Sequence, residues 1–184
     1  MTRKTRQQNK PKTAHHSDLG PIVSSIHLAQ GIVPSLSEFE FGLIMAFHAF
    51  ERWMVRATSA AGCGELSALD VLVLHSINHR EREKKLADIC LVLNIEDTHT
   101  VSYALKKLER LELIESGRIG KEKTASITDE GRNLCERYKQ IREQLLEQSV
   151  KDLGIDQAQF KNLSILMRTL SGQYDQATRT AASL

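Results

Sequence analysis

Apolar residues recur at three- and four-residue steps in six stretches of this chain, and one glycine-punctuated stretch breaks the pattern. That period predicts six helices and a hairpin. The first helical stretch, "FGLIMAFHAFERWMVRA", follows a Ser37–Glu40 capping box and runs to about Ala60. It is apolar on nearly every side, so it needs cover on more than one face, which points to a partner subunit. Gly62 and Gly64 end it around Cys63. A second box, Ser67 to Asp70, opens "LSALDVLVLHSINH", whose Leu69, Val71, Leu72, Leu74 and Ile77 predict a short buried helix. Beyond the charged link "REREKK", Leu86, Ile89, Cys90 and Leu93 return to helical spacing.

The next stretch, "EDTHTVSYALKKLERLELI", is oily on only part of its circumference. Asp97 is its expected cap. At about 100° per residue, Ala104, Leu105, Leu108 and Leu111 gather within about 60 to 80° of Val101. His99, Tyr103, Lys106 and Arg110 lie opposite, flanked by Ser102 and Lys107, with Glu109 to one side. A solvated helix face more often alternates signs. "LIESGRIGKEKTASIT" then predicts strands over 113–116 and 121–128 with a turn over 117–120, and Arg118, Lys121 and Lys123 on the tip and second strand. Helix resumes after "TDEG", with Leu134, Tyr138, Ile141 and Leu145 in step. Asp156 to Gln159 opens the last helix, striped by Phe160, Leu163, Met167, Leu170 and Tyr174.

Composition changes this picture little. Of 184 residues, 41% are hydrophobic and 26% charged, as in ordinary globular chains, and the 5% aromatic content favours helix packing. The formal charge of +2 does not announce a nucleic-acid binder, so distribution matters more. The first twelve residues hold Arg3, Lys4, Arg6, Lys10 and Lys12 with no acid and no apolar run, which excludes a secretory signal or membrane anchor there. Two readings of that tail stay open: a solvated segment, or an arm that touches DNA phosphate or the minor groove. Cys63, Cys90 and Cys135 fit no metal spacing, and their odd number points to a reducing compartment, the cytoplasm.

A short helix bracing a second one that exposes a polar face, with a cationic hairpin beside it, is the plan of a winged helix-turn-helix DNA reader. The stretch "LADICLVLNIEDTHTVSYALKKLERLELIESGR" with "ASITDEGRNLCE" after it resembles the MarR-type transcriptional regulators over roughly residues 37–170. The resemblance implies a mainly α fold with a small β-hairpin wing, and a homodimer paired through N- and C-terminal dimerisation helices. It also implies a pseudo-palindromic double-stranded DNA site, regulation as a repressor, no enzymatic activity and no cofactor. The chain divides accordingly into a basic tail (1–17), an arm and dimerisation helix (18–62), the winged helix-turn-helix (63–131) and C-terminal dimerisation helices (132–184).

Thr98, His99, Ser102 and Tyr103 are placed to meet base edges or nearby phosphates, and Lys106 and Arg110 to meet phosphate, with Lys107 on the flank of the same DNA-binding face. Two departures from the family pattern stand out. Glu112 occupies a turn where relatives commonly carry glycine in a left-handed conformation. The wing carries "GKEK" in place of an Asp-x-Arg element, which leaves Arg118, then Lys121 and Lys123, as candidates for the minor groove.

Other candidates have plainer readings beside them. His48, Arg52, Trp53 and Arg56 suggest a pocket for a small aromatic or acidic effector, against a histidine simply buried at a dimer interface. Cys63 is a candidate redox thiol, although no cation or resolving cysteine accompanies it. His75 and His79 have metal-binding spacing but no third ligand, so they read as surface histidines. The segment from Leu66 to Gly131 holds ten cations and twelve acids. That balance keeps a second function open, a winged helix that contacts protein or RNA.

Overall fold

In a computed structural model of the chain, residues 20–184 are described; the basic tail lies outside them. The chain falls into two compact units divided after Phe50. The first holds a 3-10 turn, Ile26–Gln30, and the start of helix α1, Pro34–Ala60. α1 begins three residues before the expected Ser37 cap, because Pro34 is suited to the first helical position, where its missing N–H costs nothing. Ser37 is therefore buried inside the helix. Ile44, Met45, Phe47 and Phe50 are all exposed.

The second unit begins within α1 and contains α2 (Ala68–Asn78), β1 (Lys84–Lys85), α3 (Leu86–Leu93), α4 (Thr98–Arg110), β2 (Ile114–Ile119), β3 (Glu122–Ile127) and α5 (Asp129–Arg142). The Ser67–Asp70 box forms as predicted, with Ser67 N donating to the Asp70 carboxylate at 2.8 Å. α2 is the hub and packs against α3, α4, α5 and β3. Val71, Val73, Leu74, Ile77, Ile89, Val101, Leu108, Ile114 and Leu134 form its fully buried core, together with Met54 and Ala57 from α1. Cys90 and Cys135 belong to the same core as small hydrophobes, and burial pushes the Cys135 thiol up to about 11.

The expected hairpin is longer and its turn tighter than the sequence predicts. β2 and β3 pair antiparallel from Ile114↔Ile127 to Ile119↔Glu122, leaving only Gly120 and Lys121 between them. Gly120 has φ of 63° and Lys121 a negative φ, the pattern of a two-residue turn with glycine in first place. A third strand was not predicted. β1 arises in the charged link and pairs with β3 as Lys84↔Ala125 and Lys85↔Thr124, giving the order β1-β3-β2.

Beyond α5 the helix continues through a π-helical turn, Glu143–Glu147, into α6 (Gln148–Asp152). Gly154, with φ of 68°, breaks it before α7 (Gln157–Ala181). The Asp156–Gln159 box caps α7 as expected. No residue of this 25-residue helix is buried.

Candidate nucleic-acid interface

α4 is held at both ends by local chemistry. Asp97 caps it, accepting from His99 N at 2.9 Å. Two matching turns flank it. After α3, Asn94 is left-handed at φ 54°, with Ile95 N bonded to Cys90 O at 2.9 Å. After α4, Glu112 is left-handed at φ 58°, with Leu113 N bonded to Leu108 O at 3.0 Å. Both are helix stops in which a left-handed residue returns amides to the last carbonyls. Glu112 thus does adopt the conformation that glycine normally supplies.

Val101, Ala104, Leu105 and Leu108 seat the helix and are buried, with Leu111 partly so. On the other flank, Thr98, His99, Lys106 and Arg110 are exposed, Ser102 is half-buried, and Tyr103 is 70% exposed. The Lys106 ammonium lies 5.5 Å from the Tyr103 ring centre, a cation–π contact that keeps both groups extended along the surface. Lys107 differs. Its ammonium is 2.8 Å from the carboxylate of Asp70, which is buried, so this cation fastens α4 to the capping box of α2. Arg110 reaches Glu65 at 3.2 Å, but both side chains are mostly exposed and the pair is weak.

The wing comes close to this flank. Ser102, Lys106 and Glu109 of α4 share a notch of about 190 Å³ with Arg118 and Lys123 of the hairpin. Lys121 sits at the exposed tip, away from the notch. Gly117 leaves room for two side chains: a Cβ on it would lie 2.7 Å from Glu83 Oε1 and 2.9 Å from Thr124 Oγ1, so those groups would have to shift. Those two groups are hydrogen-bonded, Thr124 donating to Glu83, and Lys85 pairs with Glu122 at 2.5 Å. The wing is therefore tied to β1 and the residue before it by side chains as well as backbone.

His48 lies in the first unit, its ring 5.7 Å from that of Phe47, and is exposed in the single chain. Arg52 and Arg56, in the second unit, are exposed, while Trp53 packs on the core. The Trp53 indole N–H is buried without a hydrogen-bond partner among the described residues. It lies near enough to the Tyr138 phenol to counter part of the rise that burial imposes on that group. His75 is not a surface histidine: it is half-buried, 4.7 Å edge-on from the Tyr138 ring, and desolvation lowers its pKa. Cys63 is a free, half-buried thiol. No helix among the described residues is long and apolar enough to cross a membrane.

A helix braced by two others beside a cationic three-stranded sheet defines the class: a winged helix-turn-helix. Residues 66–131 match the family described as a winged helix DNA-binding domain. Over more of the chain, the fold is that of the MarR-family regulators. It is similar to AbfR of Staphylococcus epidermidis (15% identity, 78% of this chain and 93% of that one, TM-score 0.63). It is also similar to a mutant MarR from E. coli complexed with operator DNA (17%, 76% and 98%, TM-score 0.61). A third similar structure is CouR from Rhodococcus jostii bound to p-coumaroyl-CoA (15%, 72% and 90%, TM-score 0.57). No curated protein matches the chain in sequence.

Proposed function

We propose that this protein is a cytoplasmic transcriptional repressor that binds a pseudo-palindromic double-stranded DNA site as a homodimer. One observation carries the reading: α4 is seated by a buried apolar flank while the flank holding His99, Tyr103 and Lys106 is left outward beside the cationic wing. The MarR structure of the same fold, complexed with operator DNA, supports it. Thr98, His99, Ser102 and Tyr103 reach base edges in the major groove, where donor and acceptor patterns distinguish all four base pairs. Lys106 and Arg110 meet phosphate, and Arg118, Lys121 and Lys123 meet the flanking backbone or minor groove. Exposed apolar residues on α7, among them Leu163, Leu166 and Met167, supply the surface for a second copy.

The test is selection of random duplexes on the purified protein, followed by sequencing and footprinting of those retained. The expected result is a palindrome with two protected half-sites about one helical turn apart. Retention of every duplex alike, or preference for RNA, would overturn the reading.

A further inference from the structure

A second concave surface lies between α2 and α3, and no residue of α4 lines it. Its volume is about 560 Å³, within the range of small-molecule sites. Leu72, Ile89, Val92 and Leu93 give it apolar walls. At one end stand Arg80, Arg82 and Lys84, with His79 beside them and Asp88 as the one acid in the lining.

Four features make this end more than a solvated charge run. Lys84 is only 8% exposed, and its ammonium donates to the His79 carbonyl, so one cation is built into the wall. Burial, then Arg82 and Arg80, push the Lys84 ammonium down, which places three like charges within electrostatic reach of one another. Neither Arg80 nor Arg82 has an ion-pair partner among the described residues. Arg80 is also held at φ 62°, ψ 20°, a left-handed conformation that non-glycine residues rarely adopt. Crowded cations at the mouth of an apolar groove suit one kind of occupant.

We propose that the α2–α3 groove binds a small organic anion, a carboxylate or phosphate ester carried on a compact apolar body. The charged head meets Arg80 and Arg82, and the body lies on Ile89 and Val92. Because α2 and α3 both pack against α4, an occupant alters how α4 is presented. That last consequence rests on the DNA-reading function proposed above; the binding itself does not.

The experiment is a titration of the full chain followed by methyl NMR at Leu72, Ile89 and Val92. Its probes are phenyl phosphate, benzoate, inorganic phosphate and benzyl alcohol. Phenyl phosphate or benzoate should give saturable shifts at those methyls, and the stronger of the two identifies the head group. Inorganic phosphate and benzyl alcohol, each with half of the chemistry, should bind at least tenfold more weakly. Arg80→Gly combined with Arg82→Gln should weaken the better probe at least tenfold without unfolding, since glycine accepts the backbone at residue 80. Arg52→Ala with Arg56→Ala should leave it unchanged.

Several results would overturn the proposal. These are no saturable shift in the groove, shifts centred on Trp53 instead, inorganic phosphate binding as tightly as phenyl phosphate, or undiminished probe binding in the Arg80/Arg82 variant. In the last case, weaker binding of that variant to random duplex with a lower salt slope would reassign the two arginines to the DNA backbone.

Discussion

A Cβ placed on Gly131 would lie 2.1 Å from the backbone oxygen of Leu113 and 2.7 Å from Ile127 Cδ1. The motif around it is equally constrained. Thr128 accepts from Gly131 N at 3.0 Å to cap α5, and donates to Glu112 O at 2.8 Å, stitching the stop of α4 to the start of α5. Gly131→Ala must push backbone aside, so it should cost about 2 to 3 kcal/mol, read as a lower urea midpoint. Glu112→Gly should do the opposite. It removes left-handed strain of about 1 to 2 kcal/mol and gives back somewhat less in chain entropy, for a net gain below about 1 kcal/mol. His75 sets a pH response. Burial holds its folded pKa below the ordinary 6.5, so the unfolded chain takes up the proton first. Stability should therefore fall as pH drops below 6.5 and level off below the folded value, and His75→Gln should flatten that part of the denaturation profile.

At the scale of elements, α4 does two jobs with neighbouring lysines. Lys106 points outward; Lys107 is a third exposed and locks onto Asp70. Lys106→Ala or Arg118→Ala should weaken binding to all duplexes and lower the salt slope by roughly one unit each, measured by fluorescence anisotropy across salt concentrations. Lys107→Ala should leave the slope unchanged. It should instead cost on the order of 1 to 2 kcal/mol of stability, discounted because that ammonium is partly solvated. These roles mark where sequence reading ran out. The apolar period of α4, the Asp97 cap and the Ser67 and Asp156 boxes are local signals and were legible. The Lys107–Asp70 pair spans 37 residues, and β1 exists only because Lys84 and Lys85 meet a strand about 40 residues away. Periodicity carries no trace of such partners, and a run of arginine, glutamate and lysine reads as a link. The start of α1 was misplaced because a proline three residues upstream outweighed a good capping pattern.

For the whole molecule, the exposed C-terminal helix is the main unfinished surface. α7 displays Phe160, Leu163, Ile165, Leu166 and Met167, each 39 to 49% exposed, on a helix with no buried residue. Isolated helices draw most of their stability from packing, so this one needs a covering partner. Leu163→Glu with Met167→Glu should shift light-scattering mass from two chains to one. It should also abolish protection of paired half-sites while leaving the spectrum of the winged unit intact. Resemblance pointed to this face from the start, but the stripe alone could not say what covers it.

Backbone pairing clamps the wing to β1 over only two residue pairs, and beyond Thr124 the Lys85–Glu122 side-chain pair is the tie to β1 among the described residues. Lys121 rides about 10 Å past that clamp, from a rise of about 3.3 Å per residue. A tilt of roughly 10° at the root would swing the tip by nearly 2 Å, which is enough to make or miss a phosphate contact. Mechanical leverage of this kind means that changes at Glu83 or Lys85 should be felt at the far end.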